Sequence, residues 1–271
     1  MAGTAIYQGN STPSSPVRTG FLVRHRNVFI LISLLVALGL WQAAILIWKF
    51  PAFILPGPAA VWNRFLKALA DGSLLLHAGY TLIEIICGLS IGSGMAMILG
   101  YLLAKSPTAE RLLSPYLVAS QAIPLVAVAP LLIIWFGPGM FSKILICSLT
   151  VFFPVLVNTV VGLRAVPANL RDLMSSLYAD TGQVLRYLEI PAALPVFLGG
   201  LRIGATLSVI GAIVGEFVGS DRGLGFLINV SRGQYDTALV FVSIFTLILM
   251  ALLLYGVVLL AEKRLLRWKK D

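Results

Sequence analysis

Charged and polar side chains are scarce enough in this chain that each one invites a role. Arg202 and Glu216 interrupt a single apolar stretch. On one helix they would sit ~21 Å apart along the axis and about 40° apart around it. Charges at membrane depth face protein or water and mark pathways or gates; near an interface they serve as anchors. Glu84 has the same two readings. Gln121 and Asn158 are amides in apolar runs, close in sequence to Pro124, Pro130 and Pro154. Each interior proline removes a backbone hydrogen bond, and the freed carbonyl must be satisfied by protein or water. Together these residues point to a central cavity, with a static kinked bundle as the alternative.

Other chemistries are missing. The dipeptide Gly-Lys never occurs, so there is no P-loop to bind ATP. His25 and His77 lack metal-ligand spacing, and no HExxH, CxxC or GxSxG is present. Cys87 and Cys147 fall in apolar runs, which argues against a disulfide framework. Ser220-Asp-Arg-Gly-Leu-Gly225 reads as a tight turn, not a phosphate loop. No catalytic residue, metal or cofactor is expected, and an enzyme is the weakest reading.

The longest polar interruption, residues 171–195 (RDLMSSLYADTGQVLRYLEIPAALP), has a legible local grammar. Asp172, Leu173, Met174 and Leu177 fit one short helix. Asp180 can cap a second, with Gln183 three residues later completing a capping box. Val184, Leu185 and Leu188 give that helix an apolar face. Pro191 and Pro195 mark its end and the entry to the next span. The expectation is a helix–break–helix elbow that docks a partner, in the manner of a helix seated in a groove. The alternative is an amphipathic helix resting on lipid.

The elements that position these residues are membrane helices. The chain is 59% hydrophobic and 11% charged, with a mean hydropathy of +0.95. Residues 28–48, 85–104, 112–142, 144–163 and 237–261 are charge-free runs, each long enough to cross ~30 Å of hydrocarbon, and a further span lies within 192–215. Six spans are expected, the second from about Tyr80 to Ala104 and the third broken by Pro115, Pro124 and Pro130. Residues 1–27 read as a disordered tail, 262–271 as a basic tail, and 28–76 as the first span with an outer amphipathic segment. In that segment Val61, Trp62, Phe65, Leu66 and Leu69 share a face. Small residues four apart (Gly88/Gly92, Gly200/Gly204, Gly211/Gly215) suit close helix packing. The net charge of +9 is a topology signal rather than a nucleic-acid footprint. Arg18, Arg24, Arg26, Lys105, Arg111, Arg164, Arg171, Arg186 and the basic tail fall on one side, which the positive-inside rule makes cytoplasmic along with both termini.

These motifs resemble the type I permeases of ABC importers. SLYADTGQVLRYLEIPAALPVFLGGLRIGA is similar to the family's EAA-type coupling loop, and the likeness continues through Glu216 to GLGFLI. AIPLVAVAPLLIIWFGPGMFSKILI and FFPVLVNTVVGLRAVP look like its third and fourth helices, so the resemblance spans residues 77–261. It is nearest to the nitrate, sulfonate and taurine group. TLIEIICGLSIG and QYDTALVF are similar to the branches carrying hydroxymethylpyrimidine or riboflavin. The resemblance implies a multi-pass protein of the bacterial inner membrane working by alternating access as a homodimer. It also implies two cytoplasmic ATP-binding subunits and an extracytoplasmic solute-binding protein as partners.

Within the loop, 171–191, the resemblance maps the family's acidic position to Asp172, the alanine after its glycine to Ala179 and its closing proline to Pro191; with Leu177, Tyr178, Asp180, Gly182 and Leu185 these are the candidates for ATPase coupling. The loop departs from the family at Leu173 and Met174, which replace two alanines, and at Tyr178, which replaces the glycine of the bend. Three ways of making that bend stay open: a tighter turn, a right-handed helical path throughout, or a bend taken up at Gly182. Gln121, Pro124, Pro130, Asn158, Arg202 and Glu216 are the candidates for the pathway or its gating. An ATP-independent channel or secondary carrier is the alternative reading.

Overall fold

The computed structural model describes residues 26–269. The expected disordered tail lies, but for Arg26 and Asn27, outside the described residues, as do His25 and the end of the basic tail. Among the described residues the chain is helical, with no strand. The helices are α1 (Arg26–Trp48), α2 (Pro58–Ala70), α3 (Ser73–Lys105), α4 (Pro107–Gln121), α5 (Leu125–Phe136), α6 (Met140–Arg164), α7 (Ala168–Ser176), α8 (Thr181–Val218), α9 (Leu224–Gly233) and α10 (Thr237–Leu265). The described residues fall into two compact units, one ending at Phe50 and the other beginning at Pro51, so α2 belongs with the second.

Five helices (α1, α3, α6, α8 and α10) are long and apolar enough to cross a membrane, and a sixth crossing is available if α4 and α5 act as a pair. That pair is bent by 94°, far more than a kinked single span. Pro124 forces the break, because it caps α5 in an extended conformation (φ −63°, ψ 120°). Pro115, Pro130 and Pro154 sit inside helices that continue. Near Pro154, the Asn158 side chain donates to the Pro154 carbonyl at 2.8 Å.

α3 starts seven residues before the expected Tyr80, at Ser73. Gly72 takes a left-handed conformation (φ 75°) and Ser73 donates from both its hydroxyl and its N–H to Asp71 Oδ1. These bonds, the hydroxyl's first, hold the Asp71 carboxyl below the usual carboxylate range. The earlier start carries His77 into the helix, with a consequence described below.

α6 is the central helix, packed between α3 and α8. The glycine spacing explains the fit. Gly92 of α3 lies so near α6 that a Cβ would meet the Ser148 carbonyl oxygen at 2.5 Å, and on the α8 side one at Gly200 would meet Asn158 Cβ at 2.6 Å. Ala96 of α3 joins Val151, Val155 and Leu156 of α6 in the buried core. On α2 the inward stripe is Val61, Arg64, Phe65 and Ala68; Trp62, Leu66 and Leu69 face outward. The expected five-residue face is therefore divided, because Arg64 turns inward to pair with Asp236 at 2.7 Å.

Candidate functional site

The elbow between α7 and α8 consists of two helix caps back to back. Ala179 N–H donates to the Met174 carbonyl and Tyr178 N–H to the Ser175 carbonyl, each at 3.0 Å. This six-to-one and five-to-two pattern is the Schellman motif, which requires a left-handed residue at its apex. Tyr178 supplies it, at φ +54°. A side chain in that conformation costs roughly 1–2 kcal/mol relative to glycine, so Tyr178 itself makes the bend. Gly182 does not: it lies inside the next helix, where a Cβ would meet Asp180 Oδ1 at 3.1 Å. The capping box forms as the sequence predicts. Gln183 N–H donates to Asp180 Oδ1 at 2.9 Å, and Asp180 N–H to Gln183 Oε1 at 3.0 Å.

The elbow's surface is apolar and aromatic. Tyr178 is 96% exposed, and Leu173, Leu177 and Tyr187 also face outward, with Asp172 and Asp180 among them. Ala179 is half-buried beneath the bend and Leu185 half-buried on the following helix.

The second helix does not end at Pro191, as the proline rule predicts. Instead α8 runs unbroken through a π-helical turn, Leu185–Glu189, in which Ile190 N–H bonds to the Leu185 carbonyl. The widened turn accommodates Pro191, whose missing N–H would interrupt a normal α-helical ladder. The elbow is thus the first part of a membrane-length helix rather than a separate element hinged to it.

The pathway candidates separate into different places. Gln121 and Pro124 line a cavity of about 570 Å³ at the α4–α5 bend, together with Ser120, Thr150, Phe153 and Pro154. Among the described residues no charged side chain lines it. Pro130 lies farther along α5 and is half-buried. Asn158 packs against Gly200 at the α6–α8 crossing. Arg202 pairs with Glu262 of α10 at 3.1 Å.

Glu216 is buried at the opposite end of α8 from the elbow, in a clamp around the start of α9. Three successive N–H groups there are each taken by a side chain. Gly223 donates to His77 Nδ1 at 3.1 Å, Leu224 to Thr81 Oγ1 at 2.8 Å, and Gly225 to Glu216 Oε2 at 2.5 Å. The Thr81 hydroxyl in turn donates to Glu216 Oε1 at 2.6 Å. Glu84 lies buried beside them. These side-chain acceptors satisfy the free N–H groups that a helix N-terminus presents. Gly223 (φ +105°) and Gly225 are needed because a Cβ on either would collide with the Glu216 side chain. Sequence reasoning noted His77, Glu84, Glu216 and the Gly-Leu-Gly turn separately; it missed Thr81 and the convergence of all five. The available signal was a Gly-x-Gly turn that begins seven residues after an acidic one.

The family described as "Binding-protein-dependent transport system inner membrane component" matches residues 92–267. The riboflavin transport system permease protein RibX of Chloroflexus aurantiacus is 48% identical over 88% of this chain and 89% of its own. The formylaminopyrimidine transport permease protein ThiX of Halalkalibacterium halodurans is 36% identical over 83% and 92%. The taurine transport system permease protein TauC of Escherichia coli is 30% identical over 87% and 88%. Among solved structures, the crystal structure of an amino acid ABC transporter with histidines shares the fold, with a TM-score of 0.56 at 18% identity over 75% of this chain and 96% of that one. In such systems ATP is hydrolysed by separate subunits, in keeping with the missing P-loop. With a family match over most of its length and relatives that are permeases throughout, the chain belongs to the inner membrane components of binding-protein-dependent transport, and is the multi-pass permease subunit of an ABC importer.

Proposed function

We propose that two copies of this permease import a small, uncharged heteroaromatic solute, of the riboflavin or pyrimidine-precursor class. Two ATP-binding subunits drive the cycle from the cytoplasmic side, and an extracytoplasmic binding protein delivers the solute. The elbow is the ATPase seat. Leu177 and Tyr178 fill a groove of the partner, Asp172 and Gly182 lie on the same exposed face, Asp180 fixes the cap geometry, and Ala179, Leu185 and Pro191 carry the displacement into α8. The observation that carries the reading is the unbroken run from an exposed aromatic bend into a membrane-length helix. Closure of the ATPase pair then has a rigid lever into the bundle, provided that the elbow makes different contacts in the two states.

The solute class is supported by the riboflavin and pyrimidine-precursor relatives and by the bend cavity. Its volume falls in the ordinary range of small-molecule sites, its lining includes Phe153, and it offers no cation to a sulfonate. Proteoliposomes holding the permease, its ATPase subunits and its binding protein test both parts. Labelled riboflavin or a formylaminopyrimidine should accumulate only with ATP inside reach of the ATPase, and taurine should not. Equal uptake without ATP would contradict the coupling, and uptake of taurine alone would contradict the solute class.

A further inference from the structure

The elbow is bonded to the bundle by a second route besides α8. Glu189, the last residue of the π-helical turn, is 2% exposed. Its Oε1 accepts a charge-assisted hydrogen bond at 2.6 Å from Lys105, the last residue of α3. The Tyr101 ring lies 5.5 Å from the same ammonium. Glu189 Oε2 is buried and has no hydrogen-bond partner among the described residues. A buried carboxylate separated from its cation is left uncompensated, which is strongly unfavourable. Displacement of Glu189 therefore takes Lys105 with it.

α3 has 33 residues, about 50 Å of helix. Its far end carries His77 and Thr81, which hold the start of α9. One helix is thus bonded at one end to the root of the elbow and at the other to the clamp. Two other polar ties lie near the elbow. Arg171 donates to the Leu163 carbonyl at 2.9 Å, and Arg164 pairs with Glu110; these join α6 to α7 and to α4 and leave α3 untouched. The π turn sets the register of the pair. Removing one of its residues would rotate the elbow by about 100° relative to the rest of α8.

We infer that Lys105 and Glu189 are positioning residues of the transport cycle, a latch that delivers movement of the elbow to α3 and through it to the clamp on α9. This rests on the elbow being the ATPase seat. The test uses the complete complex in proteoliposomes with three variants, Glu189→Gln, Lys105→Met and the exchange Lys105→Glu with Glu189→Lys. The readouts are ATPase co-purification, ATP hydrolysis and solute moved per ATP. Both single variants should keep the ATPase bound and hydrolysing, yet move roughly tenfold less solute per ATP; the exchange should recover most of the loss. Lys105→Arg, which keeps the charge at the half-exposed rim, should match the parent. An unchanged ratio in Glu189→Gln and Lys105→Met would overturn the latch. So would an exchange as uncoupled as the single variants, a Lys105→Arg variant as impaired as Lys105→Met, or loss of the ATPase subunit from Lys105→Met. Failure of the seat itself is separate: it would appear as full ATPase binding and uptake in a variant of the elbow surface.

Discussion

The two ends of α8 are held in opposite ways. At the clamp, the first N–H groups of α9 are taken by His77, Thr81 and Glu216, two of them across more than 140 positions of chain. At the elbow, the bonds that shape the bend are made within the elbow, between residues three to five apart. The clamp is buried and the elbow exposed. A region built from long-range, buried bonds is part of the fold's stability, whereas one built from local bonds folds on its own grammar and can spend its surface on a partner. Substitutions should therefore cost stability at the clamp and coupling at the elbow.

The largest expected effect is at Gly223. A Cβ there meets Glu216 and requires a left-handed backbone. Gly223→Val should cost about 3 kcal/mol or more, read as a lowered thermal unfolding midpoint in detergent or as failure to accumulate. Next is Glu216→Ala, which strands the Gly225 N–H and leaves the Thr81 hydroxyl only the His77 carbonyl as acceptor. A loss of about 2 kcal/mol is expected, with Glu216→Gln keeping part of it through the amide oxygen. At the elbow the sign changes. Tyr178→Gly relieves the left-handed strain and should raise stability by up to about 1 kcal/mol, while ATP-driven uptake falls because the exposed ring is gone. A Tyr178→Gly variant with less stability and full uptake would erase the contrast. Asp180→Ala should have an effect of comparable size, a loss of about 1 kcal/mol from the missing cap, largely recovered by Asp180→Ser.

The same contrast decides what could be read from the sequence. The capping box at Asp180 and Gln183 was legible because its grammar is local. The glycine pairs were legible as packing surfaces, and they do seat α6 between α3 and α8. Tyr178 in a left-handed conformation was not legible, since glycine is the usual sign of that conformation and tyrosine favours others. Nor was the π turn, because prolines ordinarily end a helix and the rule at Pro191 pointed to a break. The clamp stayed hidden because its partners lie on different helices, and no local pattern joins His77 and Thr81 to the turn at Gly223. Arg202 and Lys105 were visible as charges, but their partners Glu262 and Glu189 could be named only once the helices had been placed.

The central claim is that ATP hydrolysis reaches the bundle through the elbow. The most direct test is Ala179→Arg, which adds charge and bulk beneath the bend at a half-buried position without touching the clamp. With a tagged ATPase subunit co-expressed, co-purification with the permease and ATP-dependent solute uptake should both be lost while the permease keeps its unfolding midpoint. Retention of both the ATPase subunit and uptake at parental levels would contradict the account.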